Sequence, residues 1–229
     1  YVLAKCRLNV TGDIGCYALG ASPPFNSLHT CTCMGASIGE AMGLEKAMGR
    51  EFSRKTVAVI GDSTFLHSGI APLIDVVYNR GTVTVVILDN GTTAMTGHQD
   101  NPASGRDARG ELAPRVDLEA LVRACGVKDV SVVDPYDLED AEMAIKGAVS
   151  REEPSVVIAR RSCALTSGTA RPPVRFLSER CIKCGNCFRI GCPAMEKEDG
   201  RPRVNETLCN GCYMCVQLCK SGALAEQEA

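Results

Sequence analysis

The chain has 229 residues, 45% hydrophobic and 23% charged, which is room for one or two ordinary globular domains. A net charge of −2 leaves no basic footprint for nucleic acid, and no apolar run approaches the ~20 residues that span a bilayer. Trp is absent and aromatics are only 4%, so the core has to be Val, Ile, Leu, Ala and Cys, while fourteen cysteines without a signal peptide point to a reducing, cytoplasmic compartment.

Residues 1–22 read as an opening strand followed by a glycine-rich turn, Gly12-Asp13-Ile14-Gly15-Cys16, and Pro23-Pro24 breaks regular structure. The start without Met, beside that strand, reads as a piece of something longer. Small residues at Ala36, Gly39, Gly43 and Ala47 predict a closely packed helix over 35–50. A β-branched run over 56–60 predicts a strand ending in Gly61-Asp62-Ser63, with a helix over 70–78 behind it. The apolar run 83–88 suits a strand buried on both faces, and it ends in Asp89-Asn90-Gly91-Thr92. Polar residues over 97–114 predict a long loop of the kind that carries function or moves. Helices over 118–125 and 138–149 alternate with strands over 130–133 and 155–159. This alternation argues for a parallel sheet with helices on both faces, an α/β unit over residues 1–160. Residues 161–176 read as a linker, and 177–229 as a small α+β unit tethered by it.

That last unit is a repeat of period 28. Its cysteines fall in two runs: Cys181, Cys184, Cys187 and Cys192, then Cys209, Cys212, Cys215 and Cys219. Three closely spaced thiolates wrap one corner of a cuboidal iron–sulfur cluster, and in two-cluster ferredoxins the fourth ligand comes from the other run. The expected sets are therefore Cys181, Cys184, Cys187 and Cys219 for one [4Fe–4S] cluster, and Cys209, Cys212, Cys215 and Cys192 for the second. A zinc ribbon is the competing reading, but four ligands complete such a site and leave thiols unexplained. The unit is too short for much hydrophobic core, so its clusters have to substitute for one.

Gly61-Asp62-Ser63 and Asn90 each close a predicted parallel strand, where open α/β sheets bind ligands. A carboxylate, a side-chain amide and a nearby carbonyl are hard oxygen ligands that suit Mg²⁺ shared with a diphosphate. Amides at the start of the following helix can meet phosphate oxygens. Each piece alone also has a plainer reading: Asp and Ser as helix caps, Asp-Asn-Gly as a turn.

The stretch from Gly61 to Asn90 resembles the thiamine diphosphate motif, which opens Gly-Asp-Gly and closes Asn-Asn; Ser63 and Asp89 are the departures. Together with the cysteine runs, and with 11–17, 33–39, 61–69 and 87–98, the chain resembles the C-terminal part of the α subunits of indolepyruvate:ferredoxin oxidoreductases. These belong to the thiamine-diphosphate-dependent 2-oxoacid:ferredoxin oxidoreductases. Met34-Gly35-Ala36 stands where the wider group has His-Gly-Arg, which favours the indolepyruvate branch. The resemblance implies a thiamine-diphosphate-binding fold followed by a two-cluster ferredoxin-like unit. It implies Mg²⁺ on Asp62, Asn90 and the Thr92 carbonyl, with Gly35, Gly61 and Ser63 at the cofactor. It also implies an anaerobic decarboxylating oxidation of an aryl 2-oxoacid to its acyl-CoA, with electrons passing through both clusters to ferredoxin. Coenzyme A and a second subunit complete the system. A pyruvate or branched-chain 2-oxoacid enzyme, or an electron-transfer subunit without catalysis of its own, are the alternatives. His29 and His98 are candidate catalytic residues. Loop duty for the histidines, burial for Cys31, Cys33 and Cys163, and packing for Met34, Met42 and Met48 are the plainer readings.

Overall fold

The computed structural model describes residues 1–168 and 171–227. Thr169 and Ala170 of the expected linker, and residues 228–229 of the terminal unit, lie outside the described residues. Six strands form one parallel sheet: β1 (Asn9–Gly12), β2 (Thr30–Cys31), β3 (Thr56–Gly61), β4 (Thr84–Asp89), β5 (Asp129–Val133) and β6 (Ser155–Arg160). Their order is β2-β1-β3-β4-β6-β5. The register sets Ala58 beside Val85 and Val85 beside Val156.

Alternation along these strands builds two cores. Ala58, Ile60, Val85, Ile87, Val156 and Ile158 face one layer. That layer contains α2 (Ala36–Met48), α5 (Ile70–Tyr78) and α6 (Leu118–Ala124), which contribute Ile38, Met42, Leu73, Val76 and Val122. Val57, Val59, Val86 and Val157 face the other, where Val2 of α1 (Val2–Lys5) and Ile145 of α7 (Leu138–Val149) pack. Burying each such side chain contributes about 1.5–3 kcal/mol. Asp117 and Asp137 start α6 and α7 by accepting from the second and third backbone N–H of each helix.

Between α2 and β3 lies the short α3 (Arg50–Ser53), and β3 runs directly into α4 (Asp62–Thr64), a π-turn over Phe65–Gly69, and α5. The helices expected over 70–78 and 138–149 have those bounds. The opening strand does not: α1 comes first, because Lys5 N–H and Cys6 N–H bond back to Tyr1 and Val2 carbonyls. Pairing begins only at Asn9, opposite Thr56. No helix among the described residues is long and apolar enough to cross a membrane.

The terminal unit contains β7 (Arg175–Phe176), β8 (Met195–Glu198), β9 (Arg201–Val204), α8 (Met214–Gln217) and β10 (Leu224–Ala225). β7 pairs antiparallel with β10, so the expected linker gives up its last two residues to this unit. Asp199 and Gly200, both at positive φ, close the β8–β9 hairpin in the manner of a type I′ turn.

The unit is not tethered at a distance. Ile190, Tyr213, Cys215 and Leu224 belong to the same core cluster as Val10, Val59 and Val157. The cysteine-rich unit thus shares the covering of this sheet face with α1 and α7. Gly191 approaches so closely that a Cβ there would stand 2.8 Å from Phe25.

Candidate functional site

The chain leaves β1 for β2 on one side and returns to β3 on the other. The carboxyl ends of β1 and β3 therefore flank a topological switch point, where open α/β sheets bind ligands. A cleft of about 430 Å³ opens there. Ile14, Tyr17, Met34, Leu88 and Met95 give it apolar walls, and Gly61, Asp62, Ser63, Asn90 and Thr92 line it as well.

Asp62 begins the helical run after β3 and is 2% exposed. Its Oδ1 accepts from Ser63 N–H at 2.8 Å and its Oδ2 from Gly91 N–H at 3.0 Å, so the two strand-end loops meet on one carboxylate. Burial pushes this carboxyl up to about 6, and the nearby Asp89 adds to the effect against the pull of those N–H groups. Asp89, which stands where the thiamine motif has its first Asn, is itself buried and ion-paired with Arg160 Nε at 2.6 Å. Its position is thereby explained: the charge is neutralised from the end of the neighbouring strand. Gly91 takes a φ of +72°, and Thr92 N–H bonds to Asn90 Oδ1 at 3.0 Å. Thr93 Oγ1 donates to Ser63 Oγ at 2.8 Å, a second tie between the loops.

Five of the expected cofactor residues thus share one cleft. Gly35 is not among its described lining residues; it caps α2 at a φ of +93°, where a Cβ would stand 2.2 Å from Ser68 Oγ. Its duty is to let the start of α2 pack against the turn after α4.

Neither candidate histidine is among the described residues lining the cleft. His29 Nδ1 accepts from Val10 N–H at 2.9 Å, and His29 N–H bonds to the Val10 carbonyl, so its ring completes the sheet edge. His98 turns to Cys163 instead, with Nε2 at 3.7 Å from the sulfur. Cys31 and Cys33 are exposed rather than buried. Met42 packs in the core as expected, but Met34 faces the cleft and Met48 is exposed.

Sequence reasoning missed Asp13, Tyr17 and Asn101. Asp13 is fully buried, and its Oδ1 accepts from Ser37 N–H at 2.8 Å in the first turn of α2. Burial raises its pKa against the hydrogen bonds from Ser37 and Gly35. The signal for it was a Gly-Asp pair closing β1, as Gly61-Asp62 closes β3. The Tyr17 hydroxyl is buried with no partner at hydrogen-bond geometry among the described residues, and burial raises its pKa against the nearby Asp13 and Gly61 backbone. Asn101 uses Oδ1 to accept from Ala103 N–H at 2.8 Å. Its Nδ2 lies near enough to Asp62 to favour the charged carboxylate, yet it has no partner at hydrogen-bond geometry among the described residues.

In the terminal unit Cys181, Cys184, Cys187 and Cys219 line one cavity. The electrostatic neighbours of Cys187 are Cys219, Cys184 and Cys181, and those of Cys215 are Cys212, Cys192 and Cys209. The eight thiols thus group in two crossed sets of four. Burial raises the pKa of the Cys187 and Cys192 thiols and pushes Cys215 up to about 12. At Cys219 burial raises the pKa, but N–H donors outweigh it and the net direction is down. Ala223 and Leu224 N–H stand 3.2 and 3.4 Å from that sulfur. Val174 N–H points at Cys209 Sγ in the same way. These are donors suited to a buried thiolate. Among the described residues no three His, Cys, Asp or Glu side chains converge on a single ion.

The family model for thiamine pyrophosphate enzymes, C-terminal TPP binding domain, matches residues 13–159, and that for the 4Fe-4S dicluster domain matches 173–220. The chain is 44% identical to an indolepyruvate oxidoreductase subunit IorA of Methanothermobacter marburgensis, over 93% of its own length and 34% of that protein. It is 42% identical to IorA of Pyrococcus horikoshii, over 96% of its length and 37% of that protein. It therefore spans about a third of the relatives it matches. In fold it is similar to a 2-oxoglutarate:ferredoxin oxidoreductase from Magnetococcus marinus, with a TM-score of 0.58 and 21% identity, covering 69% of this chain and 55% of that one.

Proposed function

Since the chain belongs to the thiamine pyrophosphate enzymes through their C-terminal TPP-binding domain, with a 4Fe-4S dicluster domain behind it, we propose that it is the cofactor-binding and electron-handling part of an indolepyruvate:ferredoxin oxidoreductase. One observation carries this reading: the buried Asp62, Asn90 and Thr92 line one cleft at the sheet's switch point, in a molecule whose other core includes the cysteines of the terminal unit. Thiamine diphosphate, when bound, supplies the decarboxylating chemistry, and iron–sulfur clusters accept electrons.

The residues present fit both groups. Asp62 and Asn90 with the Thr92 carbonyl offer oxygen ligands for Mg²⁺, and the loop N–H groups already hold that carboxylate in place. Ile14, Tyr17, Leu88 and Met95 give the same cleft apolar walls that suit a flat aryl side chain. Cys181, Cys184, Cys187 and Cys219 would hold one [4Fe–4S] cluster, and Cys192, Cys209, Cys212 and Cys215 the other. The proposed reaction turns an aryl 2-oxoacid and coenzyme A into CO₂ and the acyl-CoA, with electrons going to ferredoxin, in a complex with a second subunit. The names of the IorA relatives support the substrate.

The full-length subunit with its partner, assayed without oxygen, tests this. Indolepyruvate with coenzyme A should reduce a viologen dye, and calorimetry should show Mg²⁺-dependent thiamine diphosphate binding. Dye reduction by pyruvate or a branched 2-oxoacid instead would move the substrate to those alternatives. Absent cofactor binding would leave only an electron-transfer subunit.

A further inference from the structure

The long polar loop over 97–114 is not held by its ends alone. Ala103 is 1% exposed and packs in the core cluster that contains Ile60, Phe65 and Ile87. Ile60 stands two residues before Asp62, Phe65 three after it, and Ile87 three before Asn90, so the loop plugs into the interior beside both strand ends. A turn over 101–104 shapes the plug. Asn101 Oδ1 accepts from Ala103 N–H at 2.8 Å, and the Asn101 carbonyl accepts from Ser104 N–H at 2.8 Å and from Ser104 Oγ at 2.9 Å. Where the loop returns, Val116 N–H bonds to the Pro102 carbonyl at 2.9 Å.

The turn uses only the oxygen of the Asn101 side chain. Asn101 is 7% exposed, yet its Nδ2 is buried with no partner at hydrogen-bond geometry among the described residues. Buried amide donors are nearly always satisfied, so one left open calls for a reason. Beside it lies Asp62, 2% exposed, with one backbone donor on each oxygen: Ser63 N–H on Oδ1 and Gly91 N–H on Oδ2. A carboxylate has room for about four donors, so two places remain. Asp62 lines the cleft, and no residue of 97–114 is among its described lining residues. The amide therefore approaches the acid from the protein side and leaves the cleft side open.

We propose that Asn101 is a positioning residue for Asp62: its Nδ2 closes onto the carboxylate when a divalent cation occupies the cleft, and so fixes the oxygen that the metal takes. This rests on the function proposed above, which puts Mg²⁺ at Asp62, Asn90 and Thr92. Carboxylates that bind metals are held by outer hydrogen bonds, and losing one lowers metal affinity about 10–100-fold. The loop over 97–114 thereby belongs to the metal site without entering the cleft.

The test uses the full-length subunit with its partner, kept anaerobic and dialysed free of Mg²⁺. Calorimetry follows Mg²⁺ binding in the presence of thiamine diphosphate, beside melting of the unloaded protein. Asn101→Ser keeps an oxygen for Ala103 N–H and lacks the amide donor; Asn101→Asp keeps the oxygen and the shape and lacks the donor too. Both should weaken Mg²⁺ binding about tenfold or more, and excess Mg²⁺ should restore wild-type thiamine diphosphate affinity. Where the serine variant melts too early to titrate, the aspartate variant decides. Ser104→Ala takes a hydroxyl from the same turn and should lower the melting temperature with Mg²⁺ affinity unchanged. Unchanged or tighter Mg²⁺ binding in the deciding Asn101 variant overturns the assignment. So does an equal loss in Ser104→Ala, or a loss that excess Mg²⁺ does not repair, since either would reduce Asn101 to packing. Wild-type protein that binds no thiamine diphosphate with Mg²⁺ sinks the proposed function and this inference with it, whereas wild type that binds, with variants that match it, sinks this inference alone.

Discussion

The sheet and the cysteine loops keep their shapes by different means. In β3 every residue from Val57 to Ile60 is an apolar side chain at 4% exposure or less, alternating between two cores. From Cys181 to Cys219 only Cys187, Ile190, Ala194, Tyr213 and Cys215 are buried hydrophobics, and two of these are thiols. The loops rely instead on turns. Lys183 and Gly185 have φ of 54° and 75°, and their counterparts one repeat later, Gly211 and Tyr213, have 65° and 57°. The 28-residue repeat is thus a repeat of backbone conformation, with glycine on opposite sides of the second cysteine in its two halves. One half of the molecule tolerates any apolar side chain of suitable size, whereas the other depends on particular atoms.

The largest expected effect tests whether the halves are chemically separate. Asp62→Ala should abolish Mg²⁺-dependent thiamine diphosphate binding in calorimetry while iron content stays at wild type; lost iron would show the halves confused. Next, Cys192→Ala should cut iron from about eight to about four per chain. The surviving paramagnetic signal should be that of the Cys181 set, and loss of that signal instead would undo the crossed grouping.

Gln217→Ala attacks the seam between the halves. Losing its two hydrogen bonds, from Nε2 to the Tyr136 carbonyl and from Leu138 N–H to Oε1, should cost about 1–3 kcal/mol, seen as a lower denaturant midpoint. An unchanged midpoint would mean the clamp does not hold.

The cleft also has a pH signature. Burial raises the Asp62 pKa from 3.8 to about 6, so the folded state binds more protons than the unfolded between those values. Stability in chelator should therefore fall as pH rises through that window and level off above about 6. Asp62→Asn should flatten the trend, as melting curves from pH 5 upward can check.

The smallest effect compares the two repeats directly. Lys183→Gly relieves a left-handed residue and should stabilise by about 0.5–1 kcal/mol. Gly211→Ala should destabilise, since its Cβ would stand 2.5 Å from the Arg171 carbonyl oxygen. Equal shifts in both variants would remove the asymmetry.

Most of the sheet was legible because strands buried on both faces read as unbroken apolar runs, as over 56–60 and 83–88, with helices over 70–78 and 138–149 alternating with them. The two cysteine runs were legible from their spacing, and the structure sets Cys219 in the cavity lined by Cys181, Cys184 and Cys187. What was not legible depends on long-range closure. That His29 serves Val10, and His98 meets Cys163, follows from how loops fold over strand ends. Asp13 looked like a turn residue because its partner Ser37 is 24 positions away. The terminal unit was read as tethered because a Pro- and Ser-rich stretch precedes it, and nothing local announces that Ile190 and Tyr213 join the core of the sheet.

That common interior ties the firmness of one half to the other. Were the proposed clusters removed, Cys215 and Tyr213 would lose their scaffold, and Val57 and Val59 of β3, which share their core cluster, would lose a wall. Melting of the sheet should then track iron content, without any chemical change in the sheet itself.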